Sequence, residues 1–96
     1  MTGLEEKDRR ELDVALTLLK ECGAREVYLF GSMARGEGDA YSDWDFAVRG
    51  IPKELFFSAL AKLMKHMTRS VELVDLDEAT PFAAHIAAKR EFTRVA

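Results

Sequence analysis

The chain has one cysteine, Cys22, and two prolines, Pro52 and Pro81, among its 96 residues. A single thiol excludes an internal disulfide and any cysteine-rich metal site, and it fits a reducing, cytoplasmic setting. No apolar run approaches the ~18–20 residues of a membrane span. Charge begins at Glu5, so neither a membrane anchor nor a secretory leader is expected. Basic charge is not in excess: 14 Lys and Arg stand against 17 Asp and Glu, a formal net charge of −3. Holding a long nucleic acid without sequence preference needs a strong positive field, so that class is disfavoured. Repeats, low-complexity tracts and linker-like stretches are absent as well.

What is present is a globular mix, 48% hydrophobic and 32% charged. The length is that of one domain, 1–96, with room for one catalytic module and none for a second substrate-holding domain. Helical and extended patterns alternate. Thr2 and Glu5 have capping-box spacing, which predicts a helix from near Gly3. Leu12, Ala15, Leu16 and Leu19 give its apolar stripe, and Gly23 its stop. Val27–Phe30 reads as a strand, broken by Gly31 and Ser32, with Ser32 capping a short helix through Arg35. A second strand is predicted from about Asp43 to Arg49, with Trp44, Phe46 and Val48 on its apolar face.

Gly50 and Pro52 open a second long helix. Its stripe is Leu55, Phe56, Ala59, Leu60, Leu63, Met64 and Met67. A third strand covers about Val71–Leu76, and Thr80-Pro81 starts a last helix through about Arg90. The order predicts an α+β fold: a small mixed β-sheet with helices packed mainly on one face, leaving the carboxylate face for a ligand.

The chemistry lies between Val27 and Val48. A strand that ends in Gly31-Ser32 and enters a helical turn presents free backbone N–H groups, which suit phosphate. Asp43 and Asp45, two apart on a strand, project from one face. Carboxylate oxygens are hard ligands matched to Mg2+. A nucleoside triphosphate is the ligand that needs both halves, its phosphates on the turn and its metals on the carboxylates.

Other residues read more plainly. Trp44 and Phe46 belong to the core, and Cys22 is a small hydrophobe. Neither His66 nor His85 has a second ligand at metal-binding spacing. Lys65, Arg69, Lys89 and Arg90 are expected as surface charges, any of which could approach a triphosphate, and Arg35 as either a phosphate contact or a surface residue.

The stretch resembles the signature of the DNA polymerase beta nucleotidyltransferase superfamily: Gly-Ser, about ten residues, Asp-x-Asp, then a third carboxylate on a later strand. Gly31, Ser32, Ala34, Arg35, Gly36, Ser42, Asp43 and Asp45 are similar to the minimal nucleotidyltransferase (MNT) branch. The resemblance implies a polymerase-beta-like fold and a nucleotide site at Gly31, Ser32, Arg35 and Ser42. It implies a catalytic, metal-binding set of Asp43, Asp45 and Glu72, where Glu72 of Val71-Glu72-Leu73-Val74 replaces the family's usual Asp. Asp75 is the second candidate for that third carboxylate, on the opposite strand face.

The implied cofactor is Mg2+, two ions with nucleotide bound, and the implied donor is ATP. Such proteins act as antitoxins of small helical HEPN toxins, some by adenylylating a tyrosine of the toxin. The expected acceptor is therefore a hydroxyl of a HEPN-type partner, with no membrane involved and homo-oligomerisation left open. Two other classes compete: a nucleotide-binding module that neutralises its partner by binding alone, and a structural protein.

Overall fold

Leu12, Ala15 and Leu19 recur on one side of a helical turn. In the computed structural model, which describes residues 5–39, 41–78, 81 and 93–96, they are buried on α1 (Glu6–Glu21). Glu5, extended, takes the N-cap position without a side-chain cap; the expected start at Thr2–Gly3 lies outside the described residues. Gly23 stops the helix at φ +107°, and Ala24 N–H then donates to Leu19 O at 3.0 Å.

The chain next runs through β1 (Glu26–Phe30), the short α2 (Gly31–Ala34), β2 (Trp44–Arg49), α3 (Lys53–His66), β3 (Val71–Asp75) and β4 (Thr93–Arg94). The sheet order is β3-β2-β1-β4. β1 pairs antiparallel with β2 and with β4, and β2 pairs parallel with β3 through α3, so the sheet is mixed as expected. β4 has no counterpart in the sequence reading, because two exposed residues carry no alternation. The predicted last helix, Pro81 apart, lies outside the described residues.

Val27 and Leu29 of β1, Trp44, Phe46 and Val48 of β2, and Leu73 of β3 form one core with Leu19 of α1 and Ala59 and Leu63 of α3. Trp44 and Phe46 stack with ring centroids 5.7 Å apart. Both long helices therefore cover the same sheet face. The other face holds a small cluster, Ala47 and Val74 with Tyr28, Phe30 and Leu76, and beside it Asp45 and Glu72.

Four expectations are corrected. Ser32 does not cap α2, because the helix already begins at Gly31 with Phe30 in the N-cap position. Asp43 precedes β2 instead of opening it, since the ladder starts where Trp44 N–H donates to Ser70 O at 2.9 Å. Met64 and Leu55 leave the α3 stripe, at 61% and 43% exposure, because the core-facing arc runs through Ala59, Leu63 and Met67. Arg69 is no surface charge; its side chain is 13% exposed and paired with buried Asp8.

The packing difference on the helices is measurable. Leu19→Ala should cost about 2–5 kcal/mol in urea unfolding, the range for a buried leucine. Met64→Ala should stay within about 0.5 kcal/mol, as exposed sites do. A comparable loss at Met64 would contradict its placement.

Candidate active site

The site grows out of two strand pairings. Across the antiparallel pair, Phe30 faces Asp45, so the turn leaving β1 passes under the Asp45 carboxylate. Gly31 sits there with φ +75°, and a Cβ at this position would lie 2.3 Å from Asp45 Oδ2. Only glycine meets both the backbone angle and the close approach. Across the parallel pair, Asp45 stands in register with Glu72 on the same face.

Two carboxylates side by side repel, and burial strips water from the inner one. The Asp45 pKa is accordingly pushed up to about 6, first by burial, then by the Glu72 charge and a hydrogen bond between the two carboxyl groups, and last by Asp43. Asp43 is exposed at the mouth of β2, near enough for its charge to act on Asp45. Among the described residues, no three acidic, His or Cys side chains draw together into a metal-binding group. The structure thus joins Asp45 with Glu72 and leaves Asp43 at the edge. Asp75 is not part of the pair: it accepts the N–H of Asp77 at 2.9 Å in the turn after β3.

The loop between the two halves is tied by serines. Ser32 Oγ hydrogen-bonds Ser42 Oγ at 3.1 Å, and Ser42 Oγ accepts the N–H of Asp39 at 2.9 Å. The Gly31-Ser32 turn and the loop before Asp43 are therefore linked through these two serines. Arg35 lies at the surface and pairs with Glu37 at 2.9 Å.

A sequence model of the family described as polymerase beta, nucleotidyltransferase, matches residues 7–92. The chain belongs to the polymerase beta nucleotidyltransferase family. No curated protein sequence matches it. Among solved structures, a chain of a toxin–antitoxin complex with AMP-PNP superposes with a TM-score of 0.69 at 25% identity, covering 88% of this chain and 70% of that one. A protein assigned as a minimal nucleotidyltransferase superposes at 0.73 with 24% identity, over 99% and 100% of the two chains. A chain from the complex of tri-AMPylated Shewanella oneidensis HEPN toxin with MNT antitoxin superposes at 0.65 with 22% identity, over 90% and 69%. These likenesses carry the fold of the nucleotidyltransferase.

Sequence reasoning missed two residues beside the candidate site of this nucleotidyltransferase-family chain. Arg69 donates from Nε and Nη2 to the two oxygens of Asp8 at 3.0 and 3.1 Å, and from Nη1 to the carbonyls of Asp39 and Ser42 at 2.6 and 2.8 Å. The one available signal was weak: Asp8 lies four residues before Leu12, on the side of α1 that turns inward.

The Asp45 shift carries a sign for stability. Its folded pKa of about 6 exceeds the ordinary 3.8, so the folded chain holds this proton more tightly than the unfolded chain. The ionisation penalty is absent below about pH 3.8, grows from there to about pH 6, and is complete above it. In buffer free of divalent cations, Asp45→Asn should therefore raise Tm most above pH 6, with the gain shrinking toward pH 4. Thermal melts of both proteins across that range check this, and a gain independent of pH would contradict it.

Proposed function

We propose that the chain is an MNT-type antitoxin that transfers AMP from ATP, with Mg2+, to a hydroxyl of a small helical HEPN-type toxin in the cytoplasm. The observation that carries this reading is the Asp45–Glu72 pair held over the Gly31 turn. A site that forces two carboxylates together, with a third one beside them, fits a hard dication, which relieves the repulsion the protein itself does not. Asp43, Asp45 and Glu72 would hold Mg2+, which when bound neutralises triphosphate charge. Support for donor and acceptor comes from similar folds: one was solved with AMP-PNP, and another comes from a complex with an AMPylated HEPN toxin.

Each residue has a role in this reading. The backbone N–H groups of the Gly31-Ser32 turn and the Ser32 hydroxyl receive phosphate oxygens. Ser42 keeps the Ser32 hydroxyl in place, and Arg35 exchanges Glu37 for a phosphate. The toxin hydroxyl attacks the α-phosphorus, the bond to the β-phosphate oxygen breaks, and pyrophosphate leaves. Glu72, the most exposed of the paired carboxylates, takes the hydroxyl proton. A protein acceptor also suits the net charge of −3, which disfavours a long nucleic acid.

A second reading is binding without turnover. It is favoured by the position of Asp43, which does not close into a three-carboxylate group with Asp45 and Glu72 among the described residues.

Co-expression with the product of the neighbouring gene, followed by intact-mass measurement of that partner with ATP and Mg2+, tests both. Added AMP on the partner is expected, absent in Asp43→Asn and Asp45→Asn. Glu72→Gln should slow transfer by about 10²–10⁴-fold, the range for a lost general base. A stable complex without added mass would overturn the transferase reading in favour of binding alone.

A further inference from the structure

Arg69 stands three residues before Glu72 and reaches across to the other carboxylate-bearing segment. Its two carbonyl acceptors are Asp39 and Ser42, and Ser42 is the residue next to Asp43. Its remaining nitrogens form a two-pronged pair with Asp8 on the first turns of α1. Both charged side chains are withdrawn from water, at 13% and 7% exposure. A buried ion pair is a weak source of stability compared with apolar packing. What a planar guanidinium offers is fixed direction, since its donors lie in one rigid fork. Here the fork is aimed by Asp8 at the backbone that delivers Asp43.

We propose that Arg69, oriented by Asp8, is a positioning residue that sets where Asp43 enters the site. The inference rests on Asp43 being one of the catalytic carboxylates. Asp43 has no ladder partner of its own, because β2 begins only at Trp44. Its backbone is held instead from both sides, by Arg69 on the Ser42 carbonyl and by Trp44 N–H on Ser70 O at 2.9 Å. The same guanidinium thus fixes the approach to Asp43 and the approach to Glu72. Lysine keeps the charge but not the fork, so it cannot hold Asp8 and two carbonyls together.

A built-in control lies one helical turn along α1. Glu11 accepts the Thr68 N–H and, at 2.8 Å, the Thr68 hydroxyl, tying the same turn to α1. It makes no contact with the loop before Asp43 among the described hydrogen bonds. Loss of a merely structural tie at Glu11 and loss of positioning at Arg69 therefore separate.

The test measures AMP transfer to the HEPN-type partner, with kcat and the KM for ATP, in Arg69→Lys, Asp8→Asn and Glu11→Gln, below the Tm of each. Arg69→Lys and Asp8→Asn should lose roughly 10²-fold in kcat, the scale of an ångström of misplacement. Their KM should stay within about threefold of the parent, because among the described hydrogen bonds Arg69 makes none to the Gly31-Ser32 turn itself and reaches the loop beside it only at the backbone carbonyls of Asp39 and Ser42. Glu11→Gln should keep the parent kcat. Should Arg69→Lys fail to fold, Asp8→Asn, which keeps the guanidinium and removes the carboxylate that aims it, decides. A folded variant with kcat within about threefold of the parent overturns the inference. So does an equal loss in Glu11→Gln. An inactive parent overturns the transferase reading and this inference with it, whereas an active parent with an unaffected Arg69→Lys overturns this inference alone.

Discussion

The parallel pairing of β2 with β3 forces two negative charges together. Trp44, Phe46 and Val48 must face the helices to be buried, and so must Leu73. Because side chains alternate, Asp45 and Glu72 are driven to the other face, and the register sets them opposite one another. A slip by one residue would bring carboxylates into the core and aromatic rings out of it. The core thus supplies the energy that holds the acidic pair, and the raised Asp45 pKa of about 6 is the visible cost.

The remaining parts of the site follow from that pair. Gly31 exists as the only residue that lets β1 turn beneath Asp45. The serine contacts then join this turn to the loop before Asp43. Arg69 and Asp8 anchor the loop to α1, a helix whose apolar face is fixed by the same core. A chain of contacts thereby runs from the core to every carboxylate of the site.

Much of this was legible in the residue order. Periodicity located α1, β1, β2, α3 and β3, because each buries a clear face. The Gly31-Ser32 and Asp43-x-Asp45 spacing pointed to the candidate site, and Glu72 was singled out by the family resemblance; that it faces Asp45 is a matter of strand register. What stayed hidden depends on contacts between distant segments. Arg69 and Asp8 are 61 positions apart, and each alone looks like a solvated charge. Met64 fits a helical stripe by spacing, yet whether a stripe's edge is covered depends on the width of the sheet beneath it. The two residues of β4 are recognisable only by their pairing with β1.

The central claim is that the sheet holds Asp45 against Glu72 in wait for a dication. An NMR titration of the Asp45 carboxyl carbon, without and then with Mg2+ and a non-hydrolysable ATP analogue, tests it most directly. The account predicts a midpoint near the pKa of about 6 in the free protein and a fall to or below the ordinary 3.8 with metal and nucleotide. A midpoint near 3.8 in the free protein, or one near 6 that Mg2+ and nucleotide leave unmoved, would contradict it.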